Sequence, residues 1–210
     1  MPIDFLKSAF VTLLVTFDPP GLAPIFLAIT AGLSAGAKRQ VALRGSVIAF
    51  AILAMFALLG RPALDALGVT ITAFRISGGL LLLFIAFDQV FDLRRQQKAE
   101  IASSAVEIDH VRNIAAFPLA IPLMAGPGSI TATMLLASRA GGDWLALGGL
   151  LAVALAVIAL SGLTLLAAER VSSLLGKTGE IVLTKMLGVV LAALAAQFLI
   201  DGVSATFKGG

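Results

Sequence analysis

The chain has 210 residues, 59% hydrophobic and 13% charged, against about 45–50% and 25% in soluble globular domains. With a mean hydropathy of +1.04, and its longest polar stretch only 92–113, it has no room for an ATPase, receptor or nucleic-acid domain. The absence of Cys excludes disulfide and thiolate chemistry, and the lone His110 excludes a histidine metal centre or a serine–histidine triad.

Apolar residues fall in six runs, near 3–31, 42–60, 67–91, 114–138, 145–167 and 181–201. Each approaches the ~20 residues that a helix needs to cross hydrocarbon. The expected fold is all-α, a multi-pass membrane protein of six spans. In the first run, Lys7 followed by Ala9–Phe17 has the outline of a signal peptide. However, Asp18-Pro19-Pro20-Gly21 interrupts it, no cleavage site follows, and apolar sequence resumes to Ile29, so it reads as a retained span. Proline removes an amide donor and glycine loosens the backbone, so regular helix should fail near the middle of this span. Asp18 can cap the half-helix that restarts at Pro19. A carboxylate at mid-bilayer costs about 2.5–3.5 kcal/mol, so Asp18 is also a candidate site for a proton, a sodium ion or an ammonium group.

In the third run, Arg75 lies near one end. It can snorkel to the headgroups, or pair with an acid or substrate in a coupling or gating role. Asp88 near the other end of that run, and Gln197 in the sixth, are expected at the interface. Gly78-Gly79, Gly148-Gly149 and Gly188 are expected to allow close helix packing. Gly32, Gly36, Gly141, Gly142, Gly176 and Gly179 are read as turn residues beside the spans. The loop 92–113 reads as partly helical, with Arg94, Arg95 and Lys98 as headgroup anchors.

The fourth run carries Pro118 and Pro122 ahead of Gly126-Pro127-Gly128, a second midplane break. Ser129 is expected to cap a half-helix continuing through Ile130, Thr131 and Thr133, whose exposed amides would attract an anion. Gly176-Lys177-Thr178 fails as a phosphate loop because Val171 stands where the first glycine belongs. Gly128-Ser129 fails as a protease site because no base accompanies it. No enzyme, cofactor or resident metal is expected, and no nucleic-acid partner.

Ten Lys and Arg (Lys38, Arg39, Arg44, Arg94, Arg95, Lys98, Arg112, Arg170, Lys177, Lys185) fall on one side by alternation. Only Lys7, Arg61, Arg139 and Lys208 fall on the other. The rich side is therefore expected in the cytoplasm and both termini outside. The spans divide three plus three into repeats over 1–91 and 114–210 around the loop 92–113, and the odd number per half inverts the second. Pro20-Gly21 matches Pro127-Gly128 at an offset of 107, and Arg75 matches Lys185 at 110. Paired broken helices at matching places in two halves point to a transport site.

Three stretches carry a resemblance: Asp18-Pro19-Pro20-Gly21-Leu22-Ala23-Pro24-Ile25-Phe26, Phe74-Arg75-Ile76-Ser77-Gly78-Gly79, and Pro118 through Gly126-Pro127-Gly128-Ser129-Ile130-Thr131. Together they resemble the signature stretches of the MarC family of bacterial and archaeal inner-membrane proteins. The resemblance implies kinship with LysE-type exporters and, for some members, transport of small neutral amino acids. The commoner first motif begins Asn-Pro where this chain has Asp18-Pro19, which leaves open a changed coupling ion or capping by either side chain.

The expected function is secondary transport or export of a small polar solute, such as a neutral amino acid, driven by a proton or sodium gradient. Asp18, Pro19, Pro20 and Gly21 would form one half of its site, and Gly126, Pro127, Gly128, Ser129 and Thr131 the other. A non-transporting scaffold and a passive channel are the competing readings.

Overall fold

The structure, a computed structural model, describes residues 3–91 and 111–208. Its elements are α1 (Ile3–Phe17), α2 (Pro19–Ile29), α3 (Ala35–Ala66), α4 (Ile71–Phe91), α5 (Val111–Ile114), a wide π-helical segment Ala115–Met124, α6 (Pro127–Arg139), α7 (Trp144–Leu166) and α8 (Ala168–Lys208). Among the described residues, five helices are long and apolar enough to cross a membrane, with α1 and α2 together counted as one. The π segment and α6, bent by 58°, bring the total to six. Several hydroxyls within the spans bond to the preceding turn, Thr12 Oγ1 to the Ser8 carbonyl at 2.7 Å and Thr133 Oγ1 to that of Ser129 at 2.7 Å, whereas Ser46 Oγ is buried without a partner.

The first span packs against α6, α7 and α8. The second, α3, packs against the π segment, α6 and α7, while α4 lies along α8 and also touches α6. These main pairings are unchanged when first and fourth, second and fifth, and third and sixth spans are interchanged. Leu13, Phe17, Leu53, Leu82, Leu119, Leu135, Leu136 and Leu150 fill the shared core with no more than 1% exposure. A broad apolar rim, including Leu80, Phe84, Leu155, Leu163 and Val189, stays exposed. In a protein of this composition that rim is the face presented to lipid.

The span ends differ from the sequence reading. α3 begins at Ala35, so Lys38 and Arg39 lie on its first turns and Gly36 is helical rather than a turn residue. Ser34 supplies the cap, which a search for apolar runs passes over. The sixth span belongs to a longer helix broken at Gly176 (φ 60°, ψ 172°). Ser172 Oγ donates to Glu180 Oε1 across that break at 2.6 Å, and Gly179 lies inside the helix. Gly78, Gly79 and Gly188 do sit at tight helix contacts, whereas Gly148 faces open space. The loop 92–113, with His110 and the anchors Arg94, Arg95 and Lys98, lies outside the described residues except for 111–113, where α5 begins.

Candidate functional site

The first break follows from two consecutive prolines. α1 keeps its hydrogen bonds as far as the Asp18 amide, which donates to the Leu14 carbonyl at 3.1 Å. Pro19 disfavours helical backbone at the residue before it, and Asp18 adopts a left-handed conformation (φ 46°, ψ 62°). Aspartate tolerates this better than most residues. Its carboxylate then turns back to accept from the Gly21 amide at 3.2 Å, capping α2 as the sequence suggested. A Cβ at position 21 would collide with that carboxylate, so the cap itself requires glycine there.

A count of backbone groups shows what this break exposes. Pro19 and Pro20 have no amide hydrogen, Gly21 is capped, and the Leu22 amide donates to the Asp18 carbonyl at 3.0 Å. No amide is left over. On the carbonyl side, Val15 would normally accept from residue 19, which is proline. Gln89 Nε2, from α4, takes that place at 3.3 Å. The carbonyls of Thr16 and Phe17 lose their helical donors in the same way, one to Pro20 and one to the Asp18 cap. Both residues line a cavity.

The second break is the electrical opposite. The π segment carries extended backbone at Phe117 and Ile121, each followed by a cis proline, and closes with the Ala125 amide donating to the Ala120 carbonyl at 2.8 Å. α6 then starts at Pro127 with Gly126 as its N-cap and without a capping side chain. A Cβ on Gly126 would strike the Pro122 carbonyl, so only glycine permits the approach. Ser129 is inside the first turn of α6 rather than its cap, because Pro127, with no amide to satisfy, starts the helix earlier. No cap side chain covers the amides of Gly128 and Ser129, and the positive end of the helix dipole lies there.

Both breaks open on the same cavity, about 400 Å³ in volume, within the usual range for a small-molecule site. Asp18, Gly21, Gly126, Pro127, Gly128 and Ser129 line it, together with Thr16, Phe17, Pro122 and a face of α4 formed by Leu81, Ile85, Asp88 and Gln89. Asp18 is 9% exposed and accepts a further hydrogen bond from Thr184 Oγ1 of α8 at 3.2 Å. A larger hollow, about 670 Å³, lies at the basic end between Phe26, Lys38, Leu166 and Arg170 and touches neither break.

Four of the expected site residues are placed elsewhere. Pro19 and Pro20 shape the break but do not line the cavity. Thr131 is buried with its methyl group directed at Gly78, because one turn past the start of α6 the helix face has rotated toward α4. Arg75 is half-buried beside Gly202, and its Nε is buried without a hydrogen-bond partner. Asp88, expected at the interface, is only 7% exposed and lines the cavity. The signal for it was present: Leu81, Ile85 and Asp88 share one helix face by spacing, and an acid within an apolar span is a functional candidate by default.

Discontinuous apolar spans packed around a shared cavity define a multi-pass integral membrane protein. A family profile described as "MarC family integral membrane protein" matches residues 3–207. The chain belongs to that family. It is 37% identical to a UPF0056 membrane protein of Methanocaldococcus jannaschii, over 97% of this chain and 98% of that one. It is 32% identical to the UPF0056 membrane protein YhcE of Escherichia coli, over 95% and 92%. Identity to YvbG of Bacillus subtilis is 30%, over 99% and 98%. No solved structure matches the chain significantly.

Proposed function

We propose that this protein is a secondary transporter of a small zwitterion, with a neutral amino acid as the best chemical fit. The observation that carries the reading is the single cavity shared by two breaks of opposite polarity. At one, an acid and freed carbonyls favour a positive group. At the other, uncapped amides at a helix start favour a carboxylate. Asp18 receives the ammonium or a coupling proton or sodium ion, and Gly126–Ser129 receives the carboxylate. Arg75, outside the cavity lining, is left a gating role. The chemistry is binding and release, without catalysis.

The invariance of the helix pairing under span interchange supports an inverted repeat of 1–91 and 114–210, the usual architecture for alternating access around a midplane site. The bacterial relatives favour the inner membrane, and the positive-inside bias favours both termini outside. Counterflow of labelled alanine, serine and glycine into liposomes containing the purified protein tests the reading. Saturable exchange dependent on a proton or sodium gradient is expected. No movement under any gradient overturns it, and unsaturable flux identifies a channel instead.

A further inference from the structure

The hollow at the basic end of the bundle has no part in the transport reading above and stands independently of it. Its volume, about 670 Å³, is within the usual range for a small-molecule site. Four segments meet around it: the end of α2, the start of α3, the end of α7 and the start of α8. Two helix ends and two helix starts oppose one another's dipoles, so the field in the hollow comes from side chains. Lys38, Arg39 and Arg170 line it against one acid, Glu169. Lys38 Nζ lies 3.0 Å from Glu169 Oε1, a pair that ties α3 to α8 and cancels one charge of each sign. Two positive charges are left over, on Arg39 and Arg170. Both residues are exposed, and among the described residues neither has an ion-pair partner.

Arg39 stands three residues before the apolar run that begins near 42, and Arg170 three residues after the one that ends near 167. Three residues of helix rise about 4.5 Å, and the headgroup layer adds about 5–7 Å to each face of the hydrocarbon. Both arginines therefore stand at headgroup depth. The remainder of the hollow is apolar. Phe26 and Leu165 are buried in its wall, while Leu163 and Leu166 are 62% and 45% exposed and continue into the lipid-facing rim. A soluble anion would use the two charges alone, whereas a phospholipid uses the charges and the apolar wall together. Guanidinium groups also suit phosphate, which they meet with two parallel hydrogen bonds. Topology anchoring places cations at this depth anywhere around a bundle, but it does not make them converge on one hollow. Arg44 and Lys177, assigned to the same side of the membrane, lie outside the lining.

We propose that this hollow binds an anionic membrane phospholipid, with Arg39 and Arg170 on the phosphate and Leu163 and Leu166 against the upper part of the acyl chains. A choline or ethanolamine headgroup would bring its own cation to a place with two positive charges in excess, so the site selects a lipid of net negative charge.

The test uses the purified full-length chain in nonionic detergent and equilibrium binding of radiolabelled dioctanoyl phosphatidylglycerol. Unlabelled dioctanoyl phosphatidylcholine and inorganic phosphate are the competitors. Saturable binding of phosphatidylglycerol is expected, with phosphatidylcholine weaker by about fivefold or more. Arg39→Gln and Arg170→Gln should each weaken binding about fivefold and together about twentyfold, the usual worth of a basic residue against an anionic lipid. Arg39→Lys and Arg170→Lys, which keep the charge, should recover part of the loss. The pair Arg44→Gln and Lys177→Gln removes the same net charge from outside the hollow and should leave binding at the wild-type level. Thermal unfolding of each variant separates lost binding from lost fold, and the single variants carry the test if the double variant does not fold. Wild-type affinity in a folded Arg39→Gln, Arg170→Gln variant overturns the proposal, as does an equal loss in the Arg44, Lys177 pair. Absence of saturable binding, or equal affinity for phosphatidylcholine, also overturns it. Displacement by inorganic phosphate at the lipid's own concentration would assign the hollow to a soluble anion instead. The transport reading is decided separately, by alanine counterflow.

Discussion

Substituting Asp18 by Asn, Gly and Ala separates the cap from the charge. Asn retains a carbonyl for the Gly21 amide and for Thr184, and it tolerates left-handed backbone, so its loss of stability should stay under about 1 kcal/mol. Gly removes both hydrogen bonds but accepts φ 46° freely, which gives about 1–2 kcal/mol. Ala loses the same bonds and adds about 1–2 kcal/mol for a Cβ in the left-handed region, making it the worst of the three at about 3 kcal/mol. Unfolding of the purified variants in mixed micelles with increasing SDS should rank them wild type, Asn, Gly, Ala. Alanine counterflow on the same samples reads the charge, and Asn should lower it about tenfold despite its stability. An Ala variant as stable as Asn would refute the capping argument. An Asn variant that exchanges alanine at the wild-type rate would reduce Asp18 to a cap.

Glycine replacements should divide by place. Gly188→Leu presses a side chain against Gln89, Val90 and the Ala86 carbonyl at 2.9–3.2 Å, and overpacking of this kind costs about 1–3 kcal/mol. Gly148→Ala meets nothing within 4 Å and should leave stability unchanged or raise it by up to about 1 kcal/mol through helix propensity. Melting the two variants side by side checks the contrast, and equal losses would contradict the packing described. At the far end of α6, Arg139 pairs with Asp201 and lies over the Phe198 ring, 4.1 Å from its centroid. Since both partners are partly exposed, Asp201→Asn should cost about 1 kcal/mol or less; a larger loss would assign the pair a burial it does not have. Reporter fusions after Gly210 should be active only outside the cytoplasm, and a robust cytoplasmic signal would reverse the orientation.

Span number, the two breaks and the capping role of Asp18 were legible because they follow from local chemistry, while its left-handed backbone was not. Twenty apolar residues must cross or be buried, proline has no amide wherever it stands, and Asp before Pro caps what comes next. Span ends were read less well, since Ser34 caps a helix that starts seven residues ahead of its apolar run and Gly176 bends one that continues past it. What only the tertiary structure decided was azimuth. Whether Thr131 faces the cavity or Gly78, whether Asp88 meets headgroups or the first break, and which group replaces the donor that Pro19 withholds from Val15 all depend on how far each helix is turned about its axis. Packing against neighbouring helices sets that rotation, and the side chains that set it lie far away in sequence, as Gln89 and Val15 do at a separation of 74 residues.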